Sequence, residues 1–279
     1  MFNNGFARVW LSPLLALLLT IGSAPVTGAD QRPLLSLVID DLGYSYQNGR
    51  KAIELDGDHT YAIIPGTSYA RKLADLAQQQ AKEVILHLPL QASNPSAASE
   101  PNALTEAMDE NQLTNNLVSM LSEIPVIKGV NNHMGSHLTQ IDYFMKPIMD
   151  VIRTYNPEFY FLDSRTSPNS IAYTEALNSG LPSMRRDVFL DNDHGNPEAI
   201  RLQFQIWLEK GRHQGHAIAI GHPHPNTIKF LAENLAEAND EFQFLSVSKL
   251  ISARLNQHQP ADRLQGDFAV AQNQESKLE

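Results

Sequence analysis

Leu34-Leu35-Ser36-Leu37-Val38-Ile39 is a continuous apolar run rich in branched side chains, and it stops at Asp40-Asp41. A run of that length without polar alternation reads as a strand buried on both faces, the kind that parallel sheets contain. Similar runs recur at 60–64, 83–88, 126–132, 158–163, 184–190, 216–221 and 242–246. Amphipathic stretches at 69–80, 110–123, 142–154, 171–178, 197–211 and 226–238 lie between them. Asp109 opens one stretch, Pro197 falls in the first turn of another, and Gly180 and Gly211 follow helix ends. Seven or eight such units in about 225 residues predict an α/β fold: a single-domain (β/α) barrel of about seven parallel strands, distorted or incompletely closed. A doubly wound open sheet is the alternative.

The predicted domain spans 30–255. Residues 1–29 have the pattern of a secretory signal peptide: one Arg, an apolar core over Val9–Ser23, then small residues at Thr27-Gly28-Ala29. That core is shorter than the ~20 residues a membrane span needs, although a retained anchor would also fit the pattern. The expectation is an exported protein, in the periplasm or secreted, with no stable membrane span after cleavage. Zero cysteines mean that stability in an oxidising compartment must come from a core and not from disulfides. A formal charge of -10 argues against nucleic acid and anionic membrane surfaces as partners. The polar stretch 256–279 reads as a flexible tail, and Gln91–Asn102 as a long loop or lid behind a strand. Trp207 has helical spacing with its apolar neighbours and reads as core.

The strands end alike. Besides Asp40-Asp41, the terminal residues are His87, the stretch Asn131-Asn132-His133 with His137 beyond it, Asp163 with Arg165, Arg186-Asp187 followed by Asp191, and His222. A single histidine at a strand end is weak, but five strand ends carrying Asp and His toward one rim are not, because a barrel concentrates its chemistry at that face. Adjacent strand residues point in opposite directions, so the two aspartates are expected to have separate jobs. Carboxylate plus imidazoles is the ligand set of a catalytic divalent ion, zinc above all. A second, non-ligating carboxylate can act as general base. The constellation reads as metal-assisted hydrolysis. Magnesium-dependent phosphoryl chemistry fits less well, since magnesium prefers carboxylates and water to imidazole.

Ile39-Asp40-Asp41-Leu42-Gly43 resembles the first motif of NodB-type polysaccharide deacetylases. His87-Leu88-Pro89, Gly129–Ser136, Leu162–Thr166 and Ile220–His224 are similar to the pattern of the divergent, YibQ-like branch, over about 34–252. The resemblance implies an N-acetylated glycan substrate, Asp40 as general base, Asp41 as metal ligand and His222 as the leaving-group acid. Mainstream deacetylases take two histidines four residues apart from one early stretch. Here Gln91 follows His87 at that spacing, and the spacing itself occurs at His133 and His137. Two ligand sets follow: Asp41, His87 and His133, which we favour because both histidines end strands, or Asp41, His133 and His137. Asp163 with Arg165, and Arg186 with Asp187, read equally as groups that steady the site or as structural ion pairs. Asn132 reads as an oxyanion donor or a turn residue, and Asp193-His194 as a helix cap. The altered middle motif leaves a second expectation open: an inactive glycan-binding or envelope-assembly protein that keeps the fold and has an envelope protein partner.

Overall fold

The computed structural model describes Met1 and residues 32–94, 100, 102–124 and 126–257. The predicted signal peptide, the tail beyond 257 and much of the 91–102 loop lie outside the described residues. Elements run β1 (Leu34–Leu42), α1 (Tyr46–Ile53), β2 (Thr60–Ile63), α2 (Ala70–Gln79), β3 (Glu83–Leu90), α3 (Glu110–Glu123), β4 (Gly129–Met134), a 3-10 turn (Leu138–Gln140), α4 (Asp142–Tyr155), β5 (Tyr160–Asp163), α5 (Ala172–Asn178), β6 (Ser183–Arg185), β7 (Val188–Phe189), α6 (Pro197–Gln214), β8 (His216–Gly221), α7 (Pro225–Ala238), β9 (Gln243–Phe244) and α8 (Val247–Gln257). The sheet is parallel in the order β6-β5-β4-β3-β2-β1-β8-β7, with β9 paired to the start of β1. This is the expected α/β barrel architecture, with eight strands along the main path.

Behind Gly43, Ser45 caps α1 by accepting from the Asn48 N–H. Several local expectations are corrected. The run 184–190 is one extended segment that changes partner midway. Its first half pairs with β5 and its second with β8, so the two ends of the sheet meet through a single stretch of chain. Arg186 and Asp187 sit at the switch. The Arg186 N–H bonds Asp163 O at 3.0 Å, and the Asp187 N–H bonds Ile218 O at 2.9 Å. Gly211 does not end a helix but lies inside α6, which stops at Gly215 with φ 74°. Asn196, not Asp193-His194, caps that helix by accepting from Glu198 and Ala199. Asp109 caps α3 as expected, in a reciprocal pair with Gln112.

Strand alternation sorts side chains into two cores. Leu35, Leu37, Ile39, Leu86 and Val130 face the helices, where Trp207 is fully buried and donates to Ala217 O at 3.2 Å. Leu34, Val38, Ile85, Tyr160, Ile218 and Ile220 fill the interior, joined by Val247, Leu250 and Ile251 from α8. Helix α8 therefore closes the N-terminal end of the barrel. Glu83, buried there, accepts from Thr60 Oγ1 at 2.9 Å, Tyr160 OH at 2.7 Å and Ser248 N at 3.2 Å. A buried carboxylate needs such partners to offset its desolvation. The opposite, C-terminal end is left for the strand-end residues. No helix among the described residues is long and apolar enough to cross a membrane.

Candidate active site

The same alternation decides which strand-end residues face the mouth. Interior parity runs through Val38 to Asp40, through Glu83 and Ile85 to His87, through Asn131 to His133, and through Ile218 and Ile220 to His222. Asp41 should point the other way. It does not, because its φ is 57° and the register with β2 slips between Ile39 and Leu42. This corrects the expectation of opposed carboxylates: the bulge turns both into one pocket. A non-glycine residue in left-handed conformation costs on the order of 1–3 kcal/mol. Met134 (φ 53°) and Arg165 (φ 48°), at the ends of β4 and β5, share that conformation, so backbone strain gathers around this mouth.

Asp41 Oδ1 lies 3.1 Å from His87 Nε2 and 2.9 Å from His133 Nδ1, and those two nitrogens are 3.1 Å apart. Three donors about 2.1 Å from a common centre would stand about 3.0 Å apart at right angles and about 3.4 Å apart at tetrahedral angles, so the triangle is of the size that closes on a divalent ion. The ring orientations fit as well. His87 Nδ1 is 2.7 Å from Asn131 Oδ1, which puts its proton there and leaves the Nε2 lone pair facing the triangle. His133 Nε2 is buried without a hydrogen-bond partner, the Glu100 carboxylate standing 3.4 Å away. A proton on that nitrogen leaves Nδ1 free for a cation. His137 is elsewhere. The chain reverses at Met134 and Gly135, and His137 Nε2 pairs with Glu106 at 2.9 Å. Gln91, in the position of the expected second histidine, accepts from the Glu106 N–H at 2.8 Å and so pins the loop.

Asp40 and His222 flank the triangle. Asp40 Oδ2 is 3.7 Å from His87 Nε2, and its Oδ1 accepts from Asn131 Nδ2 at 2.8 Å. Burial raises the Asp40 carboxyl above the usual range, against the pull of His87 and His222. Asp41 also feels burial, but the neighbouring His133 and His87 rings hold its carboxyl well below the usual range. His222 Nε2 stands 3.8 Å from Asp41 Oδ2. Its Nδ1 is 2.9 Å from Asp191 Oδ1, and its backbone N–H donates to Asp191 Oδ2 at 2.8 Å. Burial works against the charged ring, yet Asp191 and the Asp41 and Asp40 charges push it up to about 9. Asp191, His222 and His224 form a second cluster of potential ligand atoms. Both Asp191 oxygens are already bonded, Thr227 Oγ1 included at 2.8 Å, and Asp191 orients the His222 ring.

The remaining expected residues lie outside this pocket's direct contacts. Asp163 has exterior parity and accepts from Arg165 N and Ser170 Oγ, both at 2.8 Å, organising the loop into α5. Arg186 donates to Ser164 O at 2.7 Å and Arg165 O at 2.9 Å, and Asp187 Oδ2 accepts from the Ile218 N–H at 2.9 Å. These bonds tie loop to seam; neither expected Asp–Arg pair joins as an ion pair. Asn132 bonds Met134 O at 2.8 Å and accepts from Ser164 N at 2.9 Å, the turn role and not an oxyanion donor. The sequence places Asn131 and Asp191 at strand ends without assigning a role to either. Parity counted back from His133 would have found Asn131.

The family described as divergent polysaccharide deacetylase matches residues 37–251. The chain is 33% identical over 237 residues to the Escherichia coli K12 protein YibQ, itself uncharacterized, covering 85% of this chain and 72% of that one. It is 32% identical over 216 residues to an uncharacterized Haemophilus influenzae protein, covering 77% of this chain and 76% of the relative. The crystal structure of an uncharacterized protein from Agrobacterium tumefaciens C58 shares the fold, with a TM-score of 0.74 at 21% identity over 81% of this chain and 92% of that one.

Proposed function

We propose, from the premise that this chain belongs to the divergent polysaccharide deacetylase family, that it is an exported, metal-dependent hydrolase removing acetyl groups from an N-acetylated glycan. The observation that carries the reading is the open triangle of Asp41 Oδ1, His87 Nε2 and His133 Nδ1, flanked by Asp40 at 3.7 Å and His222 at 3.8 Å. Asp41, His87 and His133 would hold a divalent ion, most readily zinc, which would supply Lewis acidity to lower the pKa of water from 15.7 to about 7 and to polarise an acetamide carbonyl.

The chain's own groups do the proton work. Asp40, buried and with a raised pKa, accepts the proton of the attacking water, as a base stronger than a surface carboxylate. His222, protonated at neutral pH and oriented by Asp191, gives a proton to the departing amine. The amine leaves neutral and acetate is the second product. Export to the periplasm rests on the N-terminal pattern alone.

The test combines metal analysis with acetate release across a panel of N-acetylated glycans. Mature protein is expected to carry about one ion per chain. Asp41→Ala and His87→Ala should lose it, while Asp40→Asn should keep it and lose at least 10²-fold in rate. Protein that neither contains nor takes up a metal ion would sink this reading. Metal-loaded protein that binds glycans without releasing acetate would instead identify an inactive binding or envelope-assembly protein.

A further inference from the structure

Asn131 is fully buried at the centre of the mouth, and its amide is used on both sides. Nδ2 is 2.8 Å from Asp40 Oδ1 and 3.2 Å from Ser164 Oγ, and Oδ1 is 2.7 Å from His87 Nδ1. Backbone register makes this possible: Asn131 is the direct partner of His87 across β3 and β4. An ionised carboxylate only accepts, so the NH2 end must face Asp40 and the carbonyl must face His87. His87 Nδ1 then has to carry the proton, and its Nε2 lone pair is aimed at Asp41 and His133. One amide thus sets the tautomer of a metal-facing histidine and the orientation of a separate carboxylate.

Resting on the metal-dependent reading above, we propose that Asn131 is a positioning residue that couples the metal-binding half of the site to the proton-accepting half. Neither half is rigid without it. Among the described residues Asn131 alone donates a hydrogen bond to the Asp40 side chain, the His87 ring at 3.7 Å being too far for one. His87 would be free to exchange tautomers without a carbonyl at Nδ1, and outer partners of this kind typically contribute 10–100-fold in metal affinity.

Two substitutions separate the halves. Asn131→Ala removes both bonds, whereas Asn131→Asp keeps an acceptor for His87 but sets a like charge against Asp40. Zinc affinity is measured on metal-free protein by competition with a chromogenic chelator, and kcat and KM on whichever glycan the wild type deacetylates. Asn131→Ala is expected to bind zinc about 10–100-fold more weakly and to lose activity. Asn131→Asp should bind zinc within a few-fold of wild type, with KM unchanged and kcat down about 10²-fold or more. A merely structural role would lower melting temperature in both without splitting the two readouts. Wild-type zinc affinity in Asn131→Ala, or parallel loss of affinity in Asn131→Asp, overturns the proposal. Absence of zinc binding by the wild type would instead overturn the functional reading on which it rests.

Discussion

Asp191 holds His222 at both its ring and its backbone, and the consequence is one of pH. A leaving-group acid works only while protonated, so the rate should fall as pH rises through its pKa. Burial alone would move that pKa down, and the Asp191 hydrogen bond together with the nearby carboxylates holds it up, at about 9. Asp191→Asn removes one charge, so the descending limb of the kcat profile should move toward acid by about one pH unit. A profile that keeps its limb would mean that another group donates the proton. At this scale the histidines and the Asp pair were legible because residue type and position at a strand end suffice to nominate them. Asn131 was not, because the choice between it and Asn132 depends on parity. Parity requires knowing that β4 starts at Gly129 and continues through His133.

Helix α6 contains Gly211 and is capped by Gly215, two glycines with opposite reasons for being glycine. At Gly215 a left-handed φ of 74° ends the helix, and a Cβ there would meet nothing within 4 Å. At Gly211 a Cβ would come 2.6 Å from Leu35 Cδ2 and 3.2 Å from Phe242 Cε1, because the helix lies directly on the start of the sheet. Gly211→Ala should gain about 1 kcal/mol of helix propensity and lose about 1–3 kcal/mol to overpacking, a net destabilisation. Gly215→Ala should cost about 1–2 kcal/mol through backbone conformation alone. Urea midpoints with unchanged slopes would measure both, and a Gly211→Ala variant more stable than wild type would contradict the packing account. The sequence located α6 but read Gly211 as its end, since a glycine near the end of an amphipathic stretch signals a stop whether it marks a cap or a close approach. Only the contact with Leu35 distinguishes them.

Across the whole molecule, chemistry and stability occupy opposite ends of the barrel. Near the closed end, His59 is buried against Phe244, with Nε2 2.7 Å from Asp56 O and Nδ1 without a partner. Burial lowers its pKa from 6.5 to about 4. The unfolded chain therefore binds a proton between those values that the folded chain refuses. Stability is intact above pH 6.5 and declines as pH falls toward 4, by about 3 kcal/mol from this residue. Urea unfolding from pH 7 to 4 should show that loss in the wild type and not in His59→Phe; equal slopes would refute it. What the sequence determined by itself was the parallel α/β class and the residue types gathered at one rim, since hydrophobic period and strand-end chemistry are local properties. Tertiary structure decided three things. Asp41 turns beside Asp40 because β1 bulges against β2. His87 and not His137 joins His133, because register sets Asn131 opposite His87 while the chain reverses before His137. The barrel closes through a segment that changes partner at Arg186-Asp187. Each of these depends on which strand lies beside which, and no local pattern carries that.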